Sequence, residues 1–582
     1  MIMYFTRLLC FAGATSAAFV DNLNYLSPSR HHAALGVSIS RVAKRTHATP
    51  HWDPSQLNFT HGVASGDPSD DSVILWTRAA PTSDNDASNV TVSGYVPLYD
   101  HSTEEYVLSS NAPVCVDWKI GTSKSLENVV NSGTVYTSSD IDYTIKVEAK
   151  RLKSFTTYSF GFFNAYGNPV RKDSVDYVIH LGDYIYEYAN GEYGWGDAYG
   201  RIPLPNREIH TLYDYRKRLA TYRTDLDLLA SHQVFPWIPV WDDHEVADNT
   251  YRDGSAHLNN TEQSFIGDGG VSVDQRKMNA VRAYFEWMPI RQVDMDDNLR
   301  IWRNFQFGNL FDLVMLDTRQ YDRSITDVYW NTHYISDIYN DASRSLMGPR
   351  QEAWFYKTLR DSAKRGATWR VVGNQVVFSR INSSISSGLE TPFNYDQWDG
   401  YQANRNRTFH TLYENKIGNN IFLAGDSHAS WVSDLVWLDE HPYDPATGDG
   451  SLGVEFAGSA VSSPSPAGQN VTLEAAQLGS ELFIANNAEL QWQDFYYRGY
   501  YELSISHERV NAAYFGVPTT SVRSGAEISL ANFTVLSGAN KLHRKNGAAA
   551  LSGVVEAGSL RGGKVVPKHL VSDTETGEWH IY

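Results

Sequence analysis

The chain has 582 residues, of which 42% are hydrophobic, so it is long enough for about two to four domains with large cores. Its 67 acidic and 49 basic residues give a net charge of −18, which argues against nucleic-acid binding through general attraction to phosphate. No apolar stretch beyond the N-terminus reaches membrane-spanning length, and no G-x-S-x-G, H-E-x-x-H or P-loop pattern occurs.

The N-terminus has the features of a secretion signal. Arg7 precedes a short apolar run, and Ser16-Ala17-Ala18 fits a signal-peptidase site before Phe19. Residues 1–18 are therefore predicted to be removed and the protein to be secreted, either free outside the cell or associated with the cell wall. Seven Asn-x-Ser/Thr sequons favour a glycoprotein. Removal of residues 1–18 would take Cys10 away and leave Cys115 without an intrachain disulfide partner.

The rest of the chain divides by its residue pattern. Residues 19–57 are polar without periodicity, which indicates a leader or a loosely ordered segment. Residues 58–158 alternate apolar and polar positions between turn residues, which is typical of an N-terminal all-β sandwich domain. From 160 to 545, apolar runs alternate with helical patterns at 213–231, 275–287 and 349–364, which predicts an α/β domain. Residues 546–582 are predicted to form C-terminal strands or a tail.

Five short apolar runs in the α/β part end in polar clusters. Each run has the length and composition of a strand buried on both faces. Because ligands bind beyond the carboxyl ends of the strands in open α/β sheets, we expect the five clusters to meet at one edge of a sheet. The runs with their clusters are Tyr177–Glu187, Trp237–Glu245, Phe311–Arg319, Trp369–Gln375 and Asn420–His428.

The first and last clusters carry residue types that bind hard metal ions. Gly182 allows a sharp turn, after which Asp183 and Tyr186 offer carboxylate and phenolate oxygens. Asp426 and His428 lie two residues apart, so on an extended backbone they point the same way and can share one metal. The alternative in each case is structural: a capping Asp with a packed Tyr, and a turn with a hydrogen-bonded His.

The middle clusters add acid, base and phosphate-binding groups. Four ionisable residues, Asp242 to Glu245, directly follow a strand, and packing alone does not explain them because their burial is costly. Either Asp242 or Asp243 can bind metal while His244 donates a proton or stabilises a phosphoryl oxygen; a solvated acidic loop is the alternative. Asn374 offers a neutral carbonyl to a metal or phosphate, and Arg319 offers a fork of donors to phosphate.

These residues resemble the motifs of the PhoD-type alkaline phosphatase family. Phe59–Pro68 and Val73–Arg78 are similar to its N-terminal β-domain, and the five clusters are similar to its metallophosphatase motifs. The resemblance covers nearly everything after Phe59. It implies an α/β metallophosphoesterase-like core of two sheets sandwiched by helices, an Fe³⁺ and Ca²⁺ centre, and hydrolysis of phosphate monoesters and sometimes diesters. Some relatives resemble phospholipase D in their choice of substrate.

The resemblance also implies roles for individual positions. Asp183 would bridge the metals and Tyr186 would ligate the iron. Asp243 would take the place that Asn holds in the Gly-Asn-His motif of broader metallophosphoesterases, and His244 would follow as the phosphate-facing His. The metal shell would be completed by Asp426 and His428.

One segment departs from the family pattern. In the family, a strand ending in Ser-Cys precedes the Phe-Asn-Ala-Tyr stretch, and that Cys resembles an iron ligand. Here Thr157–Tyr166 runs from the β-domain directly into the core without a Cys. Either a gene model lost an exon or the variant is real. We expect a gap or a makeshift strand beside Asp183 and an open position on the iron site.

The sequence therefore predicts a secreted metal-dependent phosphoesterase that uses a metal-activated oxygen nucleophile, with His244 and Arg319 as catalytic residues. Its expected partners are small-molecule phosphate mono- or diesters, extending to phospholipid, without a specific nucleic acid, and the protein is expected to be a monomer. A catalytically impaired or non-catalytic phosphate- or glycan-binding relative is one alternative, favoured by the missing Cys. A glycosidase with paired carboxylates is another, supported only by aromatic content and acidity.

Overall fold

The structure is a computed structural model of the chain. It describes residues 22–26, 57–69, 71–81, 114–121, 129–138, 141–150, 164–194, 196–197, 201–257, 270–294, 297, 299–384, 391–545, 547–550, 554–574 and 576–582. The described residues belong to two compact units. The sequence bounds of the first are Met1–His180, Tyr184–Pro239 and Asn260–Arg300, and those of the second are Leu181–Asp183, Val240–Asn259 and Ile301–Tyr582.

Nine strands are described in the first unit: β1 Leu57–Asn58, β2 Val63–Gly66, β3 Val73–Arg78, β4 Ala80–Pro81, β5 Val114–Gly121, β6 Val129–Thr137, β7 Thr144–Ala149, β8 Val178–His180 and β9 Pro236–Pro239. Five of them form a sheet in the order β7-β3-β2-β9-β8. Strands β2, β3 and β7 pair antiparallel, whereas β9 pairs parallel with both β2 and β8. Short β1 pairs with β4, and β5 with β6.

The N-terminal strands are not a sheet of their own. The β5–β6 pair packs apolar side chains against β3 and β7 in one buried cluster, as the layers of a sandwich do. However, β2 continues the sheet into β9, with Ser65 opposite Pro236 and Gly66 opposite Trp237. Strand β2 thus joins the N-terminal strands to a strand of the α/β part, and the predicted all-β domain over 58–158 stays a prediction. The predicted end of that domain lies outside the described residues.

The predicted leader contains a buried segment. Asn22 and Asn24, at the start of helix α1 Leu23–Leu26, are fully buried. The Asn22 amide donates to the carbonyl oxygens of Tyr136 and Thr144, each at 3.0 Å, and the Asn24 amide donates to that of Glu286 at 3.0 Å. Residues 22–26 are thus docked rather than loosely ordered. The predicted residues 19–21 and 27–56 lie outside the described part.

The cysteine expectation is also corrected. Cys115 is disulfide-bonded, and the only other cysteine of the sequence is Cys10. Residues 1–18, with the predicted signal, lie outside the described residues.

Four further helices are described in the first unit: α2 Asn164–Lys172, α3 Leu212–Tyr222, α4 Leu226–Val234 and α5 Val273–Trp287. The predicted helix over 213–231 is divided in two, because the carboxylate of Asp225 accepts from the N–H groups of Asp227 and Leu228 and begins a new helix. The predicted helix over 275–287 is α5, which Ser272 caps.

Strand β8, which precedes Asp183, is an edge strand, since β9 is its one neighbour among the described residues. Of the segment Thr157–Tyr166, which contains no Cys, only the part from Asn164 onward is described. The expected gap or makeshift strand therefore stays a prediction.

The second unit contains helices α6 Thr332–Ile338, α7 Gly348–Arg365, α8 Gln402–Glu414 and α9 Leu473–Asn486, with a 3₁₀ helix at Trp398–Tyr401. Its described strands are β10 Arg303–Phe307, β11 Phe311–Met315, β12 Trp369–Gly373, β13 Asn420–Ala424, β14 Ser430–Leu435, β15 Gly453–Ala457, β16 Leu490–Asp494, β17 Arg498–Ile505, β18 Arg509–Val517, β19 Ile528–Leu536, β20 Val554–Val555, β21 Gly558–Leu560, β22 Val565–Val566, β23 Leu570–Ser572 and β24 Trp579–Ile581.

An eight-stranded mixed sheet, in the order β10-β11-β12-β13-β15-β14-β16-β21, is the core of this unit. Strands β11, β12, β13 and β15 run parallel, and buried side chains of β11, β12 and β13 pack against α7 and α8. Strands β17, β18 and β19 form a separate antiparallel sheet. Because β21 pairs with β16, part of the predicted tail completes the main sheet.

All five predicted strands are present, but they do not share one sheet. Strands β8 and β9 belong to the five-stranded sheet, whereas β11, β12 and β13 belong to the eight-stranded sheet. The expectation of a single sheet edge was wrong, because runs of apolar residues report burial and not sheet membership. Within the part of the chain that the structure describes, none of the helices combines the length and apolar character needed to cross a bilayer.

Candidate metal centre

The candidate site lies in the second unit, in loops that follow strands. Asp183 follows β8, Asp242 and Asp243 follow β9, and Asp426 and His428 follow β13. The backbone φ angles of Asp183, Asp426 and His428 are +55°, +59° and +54°. Residues other than glycine rarely adopt this conformation, and such strained residues concentrate at functional sites.

Gly182 and Glu245 bring two of these loops together. A Cβ at Gly182 would lie 2.3 Å from the Cβ of Asp242, so the close approach requires glycine. Glu245 Oε2 accepts from the backbone N–H of Asp242 at 2.6 Å and from that of Asp183 at 3.2 Å. Glu245 therefore positions Asp183 beside Asp242.

Two groups of side chains could each hold a metal ion. One comprises Asp183, Asp243 and His244, and the other comprises Asp242, Asp243 and Asp426; in each, the ligand atoms lie within 4.8 Å of one another. The sequence left open whether Asp242 or Asp243 is the metal ligand, and the two groups contain both residues. Asp243 is the member common to the two groups, whereas the resemblance gave the bridging role to Asp183.

His428 is oriented toward the first group. Its Nε2 lies 3.7 Å from Asp183 Oδ2, and its Nδ1 lies 3.1 Å from the carbonyl oxygen of Pro464. In the tautomer that donates from Nδ1 to this carbonyl, Nε2 carries a lone pair toward Asp183. Metal-binding histidines commonly have this arrangement, in which the second ring nitrogen donates to a fixed acceptor.

The donor set fits hard cations. Asp242 and Asp243 are almost fully buried, and one oxygen of each, Asp242 Oδ2 and Asp243 Oδ1, has no hydrogen-bond partner among the described residues. A buried carboxylate oxygen without a hydrogen bond is costly, and a coordinated cation would remove that cost. Carboxylate and imidazole groups are ligands for Ca²⁺, iron and similar ions.

Arg319 lies among the carboxylates. Its fully buried guanidinium donates to Asp242, Asp396 and Asp426, and its Nη2 lies 3.7 Å from Asp243 Oδ1. Asp317 holds it there, because Asp317 Oδ1 accepts from the Arg319 backbone N–H at 3.0 Å. Its donors meet protein carboxylates, and the expectation that Arg319 clamps phosphate stays a prediction.

The local charges set the protonation of the acids. Burial raises the pKa of Asp242 well above its usual range, against the opposing attraction of Arg319. Burial acts on Asp243 in the same direction, but Arg319, His244 and the N–H of Asn249 outweigh it and lower the pKa of Asp243 to about 2. Burial also raises the pKa of Asp426. One carboxylate of the set is thus strongly held in its charged form.

Two predicted ligands are placed differently. Asn374 is buried in the core, where its Oδ1 accepts from the indole N–H of Trp398 at 2.9 Å and its Nδ2 donates to the carbonyl of Val376 at 2.5 Å. Both ends of the amide are used, so we assign Asn374 no ligand role. Tyr186 belongs to the first unit, where its ring stacks on Tyr193, and its ligand role stays a prediction.

Sequence reasoning missed two residues of the site. Asp396 binds both Arg319 and Arg323, and Gln397 Nε2 donates to Asp426 Oδ2 at 3.1 Å. Both lie directly before a 3₁₀ helix and more than 20 residues beyond the end of β12. A search for polar residues at strand ends could not find them. The sequence signal that could have indicated these two residues is the dense polar and aromatic stretch Asn394–Gly400, in which both lie.

A mixed-sheet core and strand-end loops that gather Asp and His side chains define a protein of the metallophosphatase class. The sequence matches the model of PhoD-like phosphatases over residues 152–514 and the model of their N-terminal domain over residues 44–172. The chain belongs to the PhoD-like phosphatase family, and the resemblance inferred from its motifs is confirmed.

Individual relatives are similar over most of their length. The chain is 30% identical over 542 residues to alkaline phosphatase D of Bacillus subtilis (strain 168), covering 85% of this chain and 84% of the relative. It matches a solved structure of PhoD with a TM-score of 0.66 at 27% identity, over 89% of this chain and 95% of that one. It also matches purple acid phosphatase PPD1 from yellow lupin (Lupinus luteus) seeds, with a TM-score of 0.40 at 12% identity, over 83% and 75%.

Proposed function

We propose that this protein is a secreted, metal-dependent phosphoesterase that hydrolyses phosphate mono- or diesters and acts as a monomer. The observation that carries the proposal is Asp243, a buried carboxylate common to two groups of potential ligands. Membership of the PhoD-like phosphatase family supports phosphate esters as the substrate class. Secretion rests on the signal-like residues 1–18.

In this proposal Asp183, Asp243 and His244 hold one ion, and Asp242, Asp243 and Asp426 hold a second. Fe³⁺ and Ca²⁺ are the proposed metals, because the family resemblance implies them and the donors are hard. Bound cations would neutralise the charge that develops on phosphoryl oxygens during hydrolysis. His428 keeps its Nε2 directed at Asp183 through the carbonyl of Pro464.

His244 and Arg319 have separate roles. The ring of His244 is close enough to Asp183 and Asp243 to be a metal ligand. The sequence predicts a different role for it, as the proton donor to the leaving-group oxygen, and substitution of His244 separates the two roles. Arg319 holds Asp242, Asp396 and Asp426 in a fixed arrangement, so it acts on the reaction through them.

The second candidate is a catalytically impaired relative that binds phosphate or glycans. The observation that favours it is the lack of a thiolate donor in the described residues, because Cys115 is disulfide-bonded. The five Asp and His residues of the two groups oppose it, since a bound cation would explain why so many ionisable side chains lie together and why one buried oxygen each of Asp242 and Asp243 has no hydrogen-bond partner among the described residues.

Metal analysis of the purified protein, together with assays on p-nitrophenyl phosphate and bis-p-nitrophenyl phosphate, tests the proposal. Asp243→Asn should lose metal and activity together. His244→Ala should lose at least about a hundredfold in rate with metal retained if it is the proton donor, and should lose metal if it is a ligand. His333→Ala, an exposed histidine on α6, is the matched control.

A wild-type protein that holds its metals but hydrolyses neither ester would favour the impaired relative. Equal activity before and after chelation would contradict metal dependence. N-terminal sequencing of the exported protein should begin at Phe19, whereas a chain that starts at Met1 and carries a Cys10–Cys115 bond would contradict signal removal.

A further inference from the structure

An exposed tyrosine is held in a fixed position near the candidate metal centre. Tyr329 lies just before α6 and exposes 69% of its surface, yet its φ is +67°, a conformation that is costly for a bulky residue. Its backbone N–H donates to Asp327 Oδ1 at 2.9 Å, and its hydroxyl donates to Asp248 Oδ1 at 3.4 Å. The ring is therefore tethered at both ends while remaining open to solvent.

The turn that carries Tyr329 is joined to the site. Asn249 donates from its side chain to the carbonyl of Asp327 at 2.9 Å and from its backbone to Asp243 Oδ2 at 2.6 Å. Asp248, which accepts from the Tyr329 hydroxyl, is the residue before Asn249. The ring of Tyr329 is thus connected to Asp243 through two consecutive residues.

A second connection fixes the other side of the turn. Thr326 Oγ1 donates to Asp396 Oδ1 at 2.8 Å, and Asp396 in turn accepts from Arg319. Thr332 Oγ1 donates to Asp327 Oδ1 at 2.8 Å and closes the turn on itself. Movement of the tyrosine would therefore require changes in residues that contact the carboxylates of the site.

We propose that Tyr329 is a specificity-determining residue that stacks on an uncharged aromatic or nucleoside ring in the leaving group of the ester. The inference rests on the proposed phosphoesterase function. Strained residues concentrate at functional sites, and the exposed ring, fixed by its hydrogen bonds to Asp327 and Asp248, offers an aromatic face for substrate. Rings stack on tyrosine faces, and the nearby carboxylates of Asp248 and Asp243 would repel a leaving group with a second negative charge.

The test compares kcat/KM for p-nitrophenyl phosphate and for glycerol phosphate. Tyr329→Ala should lower the value for the aryl ester roughly three- to tenfold, mainly through KM, and the value for the alkyl ester by less than about twofold. Tyr329→Phe keeps the ring and should keep the preference. Tyr334→Ala removes another exposed tyrosine, on α6, and should change neither value.

Binding of phenylphosphonate and of methylphosphonate, measured by calorimetry, gives the same comparison without turnover. An equal loss for both classes in Tyr329→Ala would show a structural role and overturn the proposal, as would no loss. A loss confined to phosphatidylcholine vesicles would assign the ring to a lipid surface and overturn it as well. Aryl-selective binding without hydrolysis by the wild type would contradict the proposed function while supporting this inference.

Discussion

Replacing Arg319 with methionine should destabilise the second unit, and the loss should be larger without metal than with it. The buried guanidinium donates to Asp242, Asp396 and Asp426 and lies 3.7 Å from Asp243. Methionine keeps much of the side-chain volume but carries no charge. The carboxylates would then face one another with less positive charge among them.

The size of the effect follows from the separations. At 3.7 Å and an effective dielectric constant of about 20, one charge pair contributes about 4 kcal/mol, and removing one partner of a buried pair costs about 3–5 kcal/mol. For a unit of this size, such a loss lowers the midpoint of thermal unfolding by roughly 6–10 °C. Bound cations would supply positive charge to the same oxygens. In the presence of metal, the loss of stability caused by Arg319→Met should therefore be less than about half of the loss in chelator.

Thermal unfolding followed by circular dichroism, in chelator and in metal-containing buffer, measures both values. Arg252→Met is the matched control, because Arg252 is exposed and pairs with Asp253 and Asp322 at the surface. Its effect should stay below about 1 kcal/mol in either buffer. If Arg319→Met destabilised the protein equally in both buffers, Arg319 and the metals would not be sharing the carboxylates, and the electrostatic argument would fail.

Three further substitutions test separate parts of the structure. Asn374→Ala should leave the metal content unchanged and lower stability by about 1–3 kcal/mol, because the indole N–H of Trp398 loses its acceptor. Glu245→Ala should weaken metal binding roughly 10- to 100-fold by freeing the backbone around Asp242, and Glu245→Gln, which keeps an acceptor oxygen, should recover part of it. Burial lowers the pKa of Lys146 to about 7, so the unfolded chain binds more protons at this lysine than the folded one between about pH 7 and 10.5. Stability should therefore rise with pH in this range, and Lys146→Met should be more stable than the wild type at pH 7, with the difference closing toward pH 10.5.

Each of these expectations has a contrary result. Loss of metal from Asn374→Ala would restore the ligand role that the sequence predicts. Identical metal affinities for wild type and Glu245→Ala would show that the backbone contacts of this carboxylate do not position the ligands. A stability difference between Lys146→Met and wild type that does not change with pH would contradict a lowered lysine pKa.

The strands were predictable, because buried parallel strands appear as apolar runs and their ends carry the polar residues. Asp183, Asp243 and Asp426, which belong to the two groups that could hold a metal, were found in this way, as was His428, whose ring lies beside Asp183. The sheet to which each strand belongs was not predictable, since β9 pairs with β2 across a separation of about 170 residues that no local pattern reports. The same limit hid Asp396, which lies more than 20 residues beyond the end of β12 and not at a strand end.

Side-chain direction was the other limit. Asn374 lies at the end of β12, where a ligand was expected, but the indole of Trp398 supplies a donor that turns its carbonyl oxygen into the core. Arg319 offers the same fork of donors to a phosphate as to a carboxylate, and the choice depends on Asp242, Asp396 and Asp426, which come from three separate loops. Residue type can predict the chemistry of a group, but the partner depends on the tertiary structure.

The placement of Arg319 bears on how an acidic centre of this kind folds. Asp242, Asp243 and Asp426 are brought close together, and their mutual repulsion opposes folding before any metal binds. A guanidinium that cannot lose its charge counters this repulsion and holds the carboxylates in position with directional hydrogen bonds. Raised pKa values at Asp242 and Asp426, caused by burial, ease the remaining repulsion through proton uptake. A cation that enters the site would release those protons and meet ligands that are already arranged, so metal binding should tighten as pH rises.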